Sequence, residues 1–531
     1  MAKANQVTLY LFFDNTDVEM VQDLTRVVHR PCKAPRPLLV GDQPWEHLPY
    51  FANNVHTVLR SGEGFMCWYE DWVFDPVAFS QTQADRFDDP AVGSSRICCA
   101  FSKDGLHWEK RPLGVVEEAG NHTNIVLGDS EDNRGKFGAA HVPAVLLDPL
   151  EDDPSRRFKL MFQQIVPGQQ EADVLGHGLG APQVLRRPIR LASSPDGIHW
   201  SVEPVEIDFG GLGPHLGDVF ILSCDRERQE YVLHTRHPDA WKGKPNPKLP
   251  RTGAWSLPFY PGDPSRLNKR RIWRCESRDL IHWNEPYLVF TTDDEEDNLD
   301  DSLYTLTSWP ASPSNSEILS LGLVNVFHSV ENVMDVQLVF SRDGRTWQRM
   351  AQRQPILERG EPGTWDCGFV GVTTPPIRVG DELWIYYGGS NAHHDWWITG
   401  LREGLDVPEA RDLSMVRHGL GLARLRADGF VSLRAGPVRE GLLVTRSMDS
   451  AGNHLEINAA CGPGGQLAVE ITDVNDEVIP GYSRDDSDTF FGDAVTHICT
   501  WRHQSQIDCP DKVKLRCWMR NADLYSLRWV K

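Results

Sequence analysis

Four acidic residues stand where a carboxylate could take part in acid–base chemistry. Asp218 precedes the apolar run Val219-Phe-Ile-Leu222, and Asp301 precedes Ser302-Leu-Tyr-Thr305. Asp366 lies in Trp365-Asp-Cys-Gly-Phe369, and Glu70 stands beside Asp71 in Trp68-Tyr-Glu-Asp-Trp72. A pair of carboxyl groups, one protonated and one ionised, can cleave an acetal: the first donates to the leaving oxygen while the second attacks carbon or activates water. Acids converging on one axis raise at least one pKa, as the donor role requires. Glu70 is the first candidate for the general acid. Asp218, Asp301 and Asp366 are expected to include the nucleophile or base and an orienting carboxylate. Each also fits a plainer role, because aspartate caps turns and strand starts.

The surroundings expected for these acids are polar and aromatic. Trp45, His56, Asp71, His141, His234, Arg236, Tyr304, His328, Trp365, Tyr387 and His393 are candidate substrate contacts, with Glu331, Asn391 and His394 close in sequence. Aromatic planes stack on sugar rings, while imidazole, amide and guanidinium groups bond hydroxyls. No HxxxH spacing or cysteine partner accompanies His393-His394, so no metal site is assigned. The acidic run Asp293–Asp301 is similar to a calcium loop only loosely and is expected to be solvated. No cofactor is called for.

These acids need elements that bring distant segments to one axis, and a repeat supplies them. Ser102-Lys-Asp-Gly-Leu-His-Trp108, Ser194-Pro-Asp-Gly-Ile-His-Trp200, Ser277-Arg-Asp-Leu-Ile-His-Trp283 and Ser341-Arg-Asp-Gly-Arg-Thr-Trp347 begin 92, 83 and 64 residues apart. Each follows a β-rich run, and Asp-Gly between extended runs marks a hairpin. A weaker copy keeps Asp428-Gly429 without the tryptophan. Self-similar units of four short strands predict a propeller, here of five blades. After about Gly436 the phrase disappears and a separate antiparallel sandwich is expected. The chain is therefore all-β, with residues 1–436 forming the propeller together with an N-terminal extension and 437–531 the β-sandwich. The turn phrases occupy one face of such a propeller, and strand starts and the links between second and third strands occupy the other. Glu276, directly before a turn serine, falls on the turn face.

Composition excludes several classes. Lys+Arg 54 against Asp+Glu 75 gives a net charge of −21, which disfavours nucleic acid and anionic membranes as partners. No apolar run reaches the ~18 residues of a membrane span, and Leu9–Phe13 is too short for a secretory core. The odd count of 11 cysteines, without paired CxxC elements, suits free thiols in a reducing, cytoplasmic setting. Four of the 18 tryptophans close the turn phrases. The basic insertion Trp241–Arg274 belongs on the pocket face, where it would contact an anionic sugar or a partner subunit, or pair with the acidic body.

The Ser-x-Asp-Gly-x-x-Trp phrase resembles the Asp-box turn of sialidases. The layout of five blades and a C-terminal sandwich resembles the invertase, fructanase and arabinanase group of glycoside hydrolases. The Asn-Asp-Pro-Asn and Arg-Asp-Pro signatures of invertases are absent, and Cys275-Glu276 reverses their Glu-Cys order, so catalytic residues rest on geometry. The resemblance implies a glycoside hydrolase acting on a small saccharide or a glycan end. The alternative is a non-catalytic carbohydrate-binding or scaffold propeller whose acids only bond hydroxyls. The sandwich is expected to support the propeller or a homo-oligomer rather than to bind polysaccharide.

Overall fold

The computed structural model describes residues 8–51, 56–62, 64–74, 93–129, 138–167, 185–186, 188–211, 216, 219–235, 270–293, 295–298, 300–311, 319–328, 331–394, 396, 407–450 and 453–531. Asp218, Arg236 and most of the basic insertion lie outside them. The described residues are nearly all strand and turn, and among them no helix is long and apolar enough to cross a membrane.

Strand order groups the chain into successive, largely antiparallel units, the fourth and fifth of which share one sheet through the parallel pairing of Met334 with Phe369. The first joins His56–Ser61, Gly64–Phe74 and Gly93–Ser102, closed by Trp108–Glu109 and Ile125–Gly128. Next come Ala139–Leu147, Phe158–Pro167, Ile189–Ser194 and Ser201–Val202. The third unit joins Phe220–Asp225, Glu230–Thr235 and Ile272–Ser277 to His282–Trp283 and Tyr287–Phe290. The fourth joins Asp301–Pro310, Ser320–His328 and Val333–Ser341 to Gln348–Arg349 and Pro355–Leu357. In the fifth, Phe369–Gly371, Glu382–Ser390 and His418–Arg426 take their outer edge from Cys32–Lys33 and Leu39–Val40, some 380 residues upstream by numbering. Its Asp428-Gly429 turn feeds Val431–Ala435, which pairs in another sheet. That departure of the chain accounts for the degraded fifth phrase.

The repeated phrase builds the predicted turn. Ser194 Oγ accepts from Gly197 N at 2.9 Å, Asp196 Oδ1 accepts from Ile198 N and His199 N, and His199 Nδ1 lies 2.8 Å from Asp196 Oδ2. These bonds hold the Asp196 carboxyl down at about 2 against the opposing effect of partial burial. Successive units grip one another at these turns. Trp68 Nε1 of the first unit donates to Gly197 O of the second at 2.7 Å, and Arg274 Nη1 of the third donates to Gly344 O of the fourth at 2.9 Å. Tyr386 Oη of the fifth donates to Gly105 O of the first at 2.9 Å. The last bond links the final unit back to the first. First strands of the first four units, through Thr57, Val145, Ile221 and Ser308, and Thr373 just beyond that of the fifth, line one cavity of about 480 Å³ at the turn end.

The remaining sheet is built on Lys512–Val530, which pairs with His454–Thr472, Gly441–Thr445 and Val431–Ala435. The N-terminal strands belong here too. Thr8–Leu11 pairs with Lys512–Val530, Val18–Gln22 with Gly441–Thr445, and Leu24–Val28 with Val431–Ala435. The division at residue 436 therefore does not follow the pairing, because residues 8–28 and 431–435 join the C-terminal sheet. Alternation explains why. Leu9, Leu11 and Phe13 bury against the fourth and fifth units, while Phe12 enters the core of the C-terminal sheet. A two-residue period turns the two faces of one segment to two cores.

Candidate active site

Register places Asp301 and Glu70 at the end opposite the turns. In the fourth unit Asp301 pairs with His328 and His328 with Val333, whereas Pro310 pairs with Ser320 and Ser320 with the turn residue Ser341. In the first unit Glu70 pairs with Ile97, five positions from the row in which Phe65 meets the turn residue Ser102.

Two carboxylate–imidazole pairs occupy that end. Glu70 is wholly buried. Its Oε1 lies 2.6 Å from His141 Nδ1, and its Oε2 accepts from Val142 N at 3.2 Å. Asp301 Oδ1 lies 2.6 Å from His328 Nδ1, and Asn298 donates to Oδ2 from its backbone and side-chain nitrogens at 3.3 Å. His328 Nε2 in turn lies 2.9 Å from Asp335 Oδ2. Burial opposes charge on His328, but the two carboxylates outweigh it and push its pKa up to about 10.

An arc of buried rings spans the space between the pairs. Trp72 lies 6.5 Å from His141 and stacks on Tyr50 at 3.7 Å, and Tyr50 meets His418 edge-on at 4.7 Å. His418 lies 6.2 Å from Phe369, which is 6.3 Å from His394. His394 closes the arc on Tyr304 and Phe327, at 5.1 and 4.7 Å, beside Asp301 and His328 in sequence. Its Nε2 lies 3.0 Å from Tyr304 Oη, and the Arg270 guanidinium sits 4.6 Å from the centre of the Phe327 ring. Burial drives His418 down to about 3, so it is neutral, and neither ring nitrogen has a hydrogen-bond partner. Each ring of the arc is less than a tenth exposed, so the arc is packed wall rather than open surface.

Other candidates fall elsewhere. Asp366 accepts from Tyr387 Oη and Thr364 Oγ1, each at 3.1 Å, and ion-pairs with Lys33 on the outer strand. Trp365 stacks on Tyr387 at 5.7 Å. Both lie over the second and third strands of the fifth unit, where Gly389 and Gly419 leave room: a Cβ on Gly389 would meet Asp366 Cβ at 2.8 Å. The carboxylate expected before a first strand is thus turned toward the outer edge of its unit. Asp71 is wholly buried and holds Arg96 Nε at 3.0 Å with the backbone nitrogens of His47 and Leu48. Burial pushes its pKa up, and Arg96 pulls against that. Trp45 donates to Asn124 Oδ1 at 2.8 Å. His56 is buried with Nδ1 2.5 Å from Phe51 O and lines the turn-end cavity. His234 is buried against Trp347, a turn tryptophan. His393 is about half exposed, 3.8 Å from Glu409.

The acidic run 293–301 is tied down by arginines: Asp297 pairs with Arg349 and Arg353, and Arg353 also reaches Asp293 and Glu296. Among the described residues no group of three or more His, Cys, Asp or Glu is arranged to hold a metal ion. Asp335, His418 and Tyr50 were not among the sequence candidates. Asp335 carried a signal, a charge inside the apolar run Val333-Met-Asp-Val-Gln-Leu-Val-Phe340, which burial without a partner would penalise.

No known family profile matches the chain, and no curated protein matches it. Solved structures of similar shape include an N-acetylgalactosamine deacetylase from F. plautii in complex with blood group B trisaccharide, at 14% identity over 76% of this chain and 96% of that one, with a TM-score of 0.40. A β-1,2-mannobiose phosphorylase from Listeria innocua matches at 14% identity over 75% and 96% of the chains, TM-score 0.42. A glycosyl hydrolase from Bacteroides ovatus matches at 13% over 76% and 96%, TM-score 0.40. Likeness at this level carries no argument about activity, which rests on the chain's own residues.

Proposed function

We propose that this chain is a five-bladed β-propeller with a C-terminal β-sandwich that hydrolyses a glycosidic bond in a small saccharide or at a glycan end. The observation that carries the reading is the pair of buried carboxylate–histidine couples, Glu70–His141 and Asp301–His328, at the end opposite the turns and joined by one arc of rings. Glu70, hydrogen-bonded to His141, takes the leaving-group side. Asp301, facing an imidazolium, is the ionised partner that attacks or activates water. Asp218, which lies outside the described residues, is kept as a further candidate from its place before an apolar run. Asp366 is read as structural. The ring arc would wall the sugar site, with Arg270 beside it. The reading needs no cofactor. Unpaired cysteines throughout suit a reducing compartment, and we place the protein in the cytoplasm.

The test is a panel of aryl glycosides, furanosides and uronides included, assayed with the wild type and with Glu70→Gln, Asp301→Asn and Asp218→Ala, sugar binding being measured beside turnover. Turnover that collapses in Glu70→Gln and Asp301→Asn while binding persists supports the hydrolase. Binding without turnover by the wild type would make the protein a carbohydrate-binding propeller instead.

A further inference from the structure

The Asp301–His328 couple has a third member. Asp335 enters from the third strand of the same unit, and its Oδ2 lies 2.9 Å from His328 Nε2, so both imidazole nitrogens face carboxylate oxygens. A neutral imidazole has one N–H and can satisfy only one of them. The cluster therefore holds one proton more than two carboxylates and a neutral ring, and because imidazole is a stronger base than carboxylate that proton belongs on the ring, an imidazolium between two carboxylates. All three side chains are mostly shielded, and Asp335 Oδ1 has no hydrogen-bond partner, which leaves His328 as its counter-charge.

We propose that Asp335 is a positioning residue that, through His328, keeps the Asp301 carboxylate ionised and fixed in direction. The inference rests on the reading of Asp301 as the ionised acid of a hydrolytic site. A lone Asp301–His328 couple could pass its proton to Asp301 and leave a neutral pair. With Asp335 on the far nitrogen, passing that proton to Asp301 would leave the Asp335 carboxylate shielded from water without its counter-charge. Other charges nearby are committed elsewhere. Arg349, which feels Asp301, pairs with Asp297; Arg353 pairs with Asp293, Glu296 and Asp297; Glu331 pairs with Arg359. Arg270 covers Tyr304 and Phe327, and His394 meets the same two rings.

The experiment is ¹⁵N-histidine NMR on the full chain from pH 5 to 11, with the His328 resonances assigned by their loss in His328→Gln, beside the pH profile of kcat/KM on the aryl glycoside the protein turns over best. In the wild type His328 should carry protons on both nitrogens across neutral pH. Asp335→Asn should lower its titration by about 1–3 pH units, the effect of removing one adjacent opposite charge, and move the alkaline limb of kcat/KM by the same amount. Asp335→Glu should restore both. A wild-type His328 that titrates near its ordinary value overturns the proposal. So does a kcat/KM limb that stays in place while the resonance moves, since a merely structural ion pair behaves that way. If Asp335→Asn does not fold, the wild-type titration and Asp335→Glu still decide. If no glycoside is turned over, the hydrolase reading falls and the positioning role with it, while the NMR titration alone still decides whether His328 is an imidazolium between the two carboxylates.

Discussion

His141 Nδ1 lies 2.6 Å from Glu70 Oε1, joining the second strand of one sheet to the first strand of the next in a wholly buried contact. In the proposed reaction Glu70 would donate the proton to the leaving group, and proton donation contributes about 10²–10⁴-fold to such reactions. Glu70→Gln should therefore lower kcat/KM by that order on glycosides with poor leaving groups. With an activated phenol, which departs without a proton, the loss should shrink to about tenfold or less. Brønsted plots for the wild type and Glu70→Gln check this; a loss of the same size for every leaving group would remove Glu70 from the donor role.

The His328 imidazolium makes stability depend on pH. Its pKa in the fold is raised from 6.5 to about 10, so its stabilisation is fully present below pH 6.5 and is lost as pH rises toward 10. The contribution is on the order of a few kcal/mol, since each pKa unit corresponds to about 1.4 kcal/mol and the group is partly exposed. Denaturant melts at pH 6, 8 and 10 should show the gap between wild type and His328→Gln narrowing as pH rises. A gap that stays constant over that range would mean the ring is neutral in the fold.

The turns were legible because Ser, Asp and Gly act within a few residues of one another. Ser194, Asp196 and Gly197 make their bonds locally, so spacing alone describes them. The acids at strand starts were legible only in part. A position before a strand specifies which end of the sheet a residue occupies, but not the direction in which its side chain turns. Asp301 meets His328 across its own sheet, whereas Asp366 is drawn outward by Lys33, more than 300 positions away. The N-terminal extension carried no local signal of its partners, since Thr8–Leu11 pairs at the far end of the chain.

Asp366 gives that difference a consequence that can be measured. Its carboxylate holds Lys33, Thr364 Oγ1 and Tyr387 Oη, and so ties the fifth unit's outer strand to the loop before its first strand. Asp366→Asn should cost about 1–3 kcal/mol of stability, as expected when a buried acceptor loses charged and phenolic donors. Lys33 is 23% exposed, which keeps the figure below that of a fully buried pair. Turnover per folded molecule should remain within about threefold of wild type. A fall of the size expected for Glu70→Gln would instead return Asp366 to the chemistry.

The turn glycines separate backbone strain from packing. Gly197 and Gly344 hold the same place in their phrases, with φ of +76° and +70°, so alanine at either adopts a left-handed conformation at a cost of about 1–2 kcal/mol. Their surroundings differ. A Cβ on Gly197 would lie 2.5 Å from Cζ2 of Trp68, a rigid buried ring whose Nε1 is already bound to Gly197 O. A Cβ on Gly344 would meet nothing nearer than Arg274 Nη1 at 3.6 Å, ordinary contact with a flexible side chain. Overpacking of the first kind adds about 1–3 kcal/mol. Gly197→Ala should therefore be the more destabilising by that amount, with an altered Trp68 fluorescence, while Gly344→Ala shows the strain alone. Equal losses in denaturant melts would mean that the first two units are not held together through this turn.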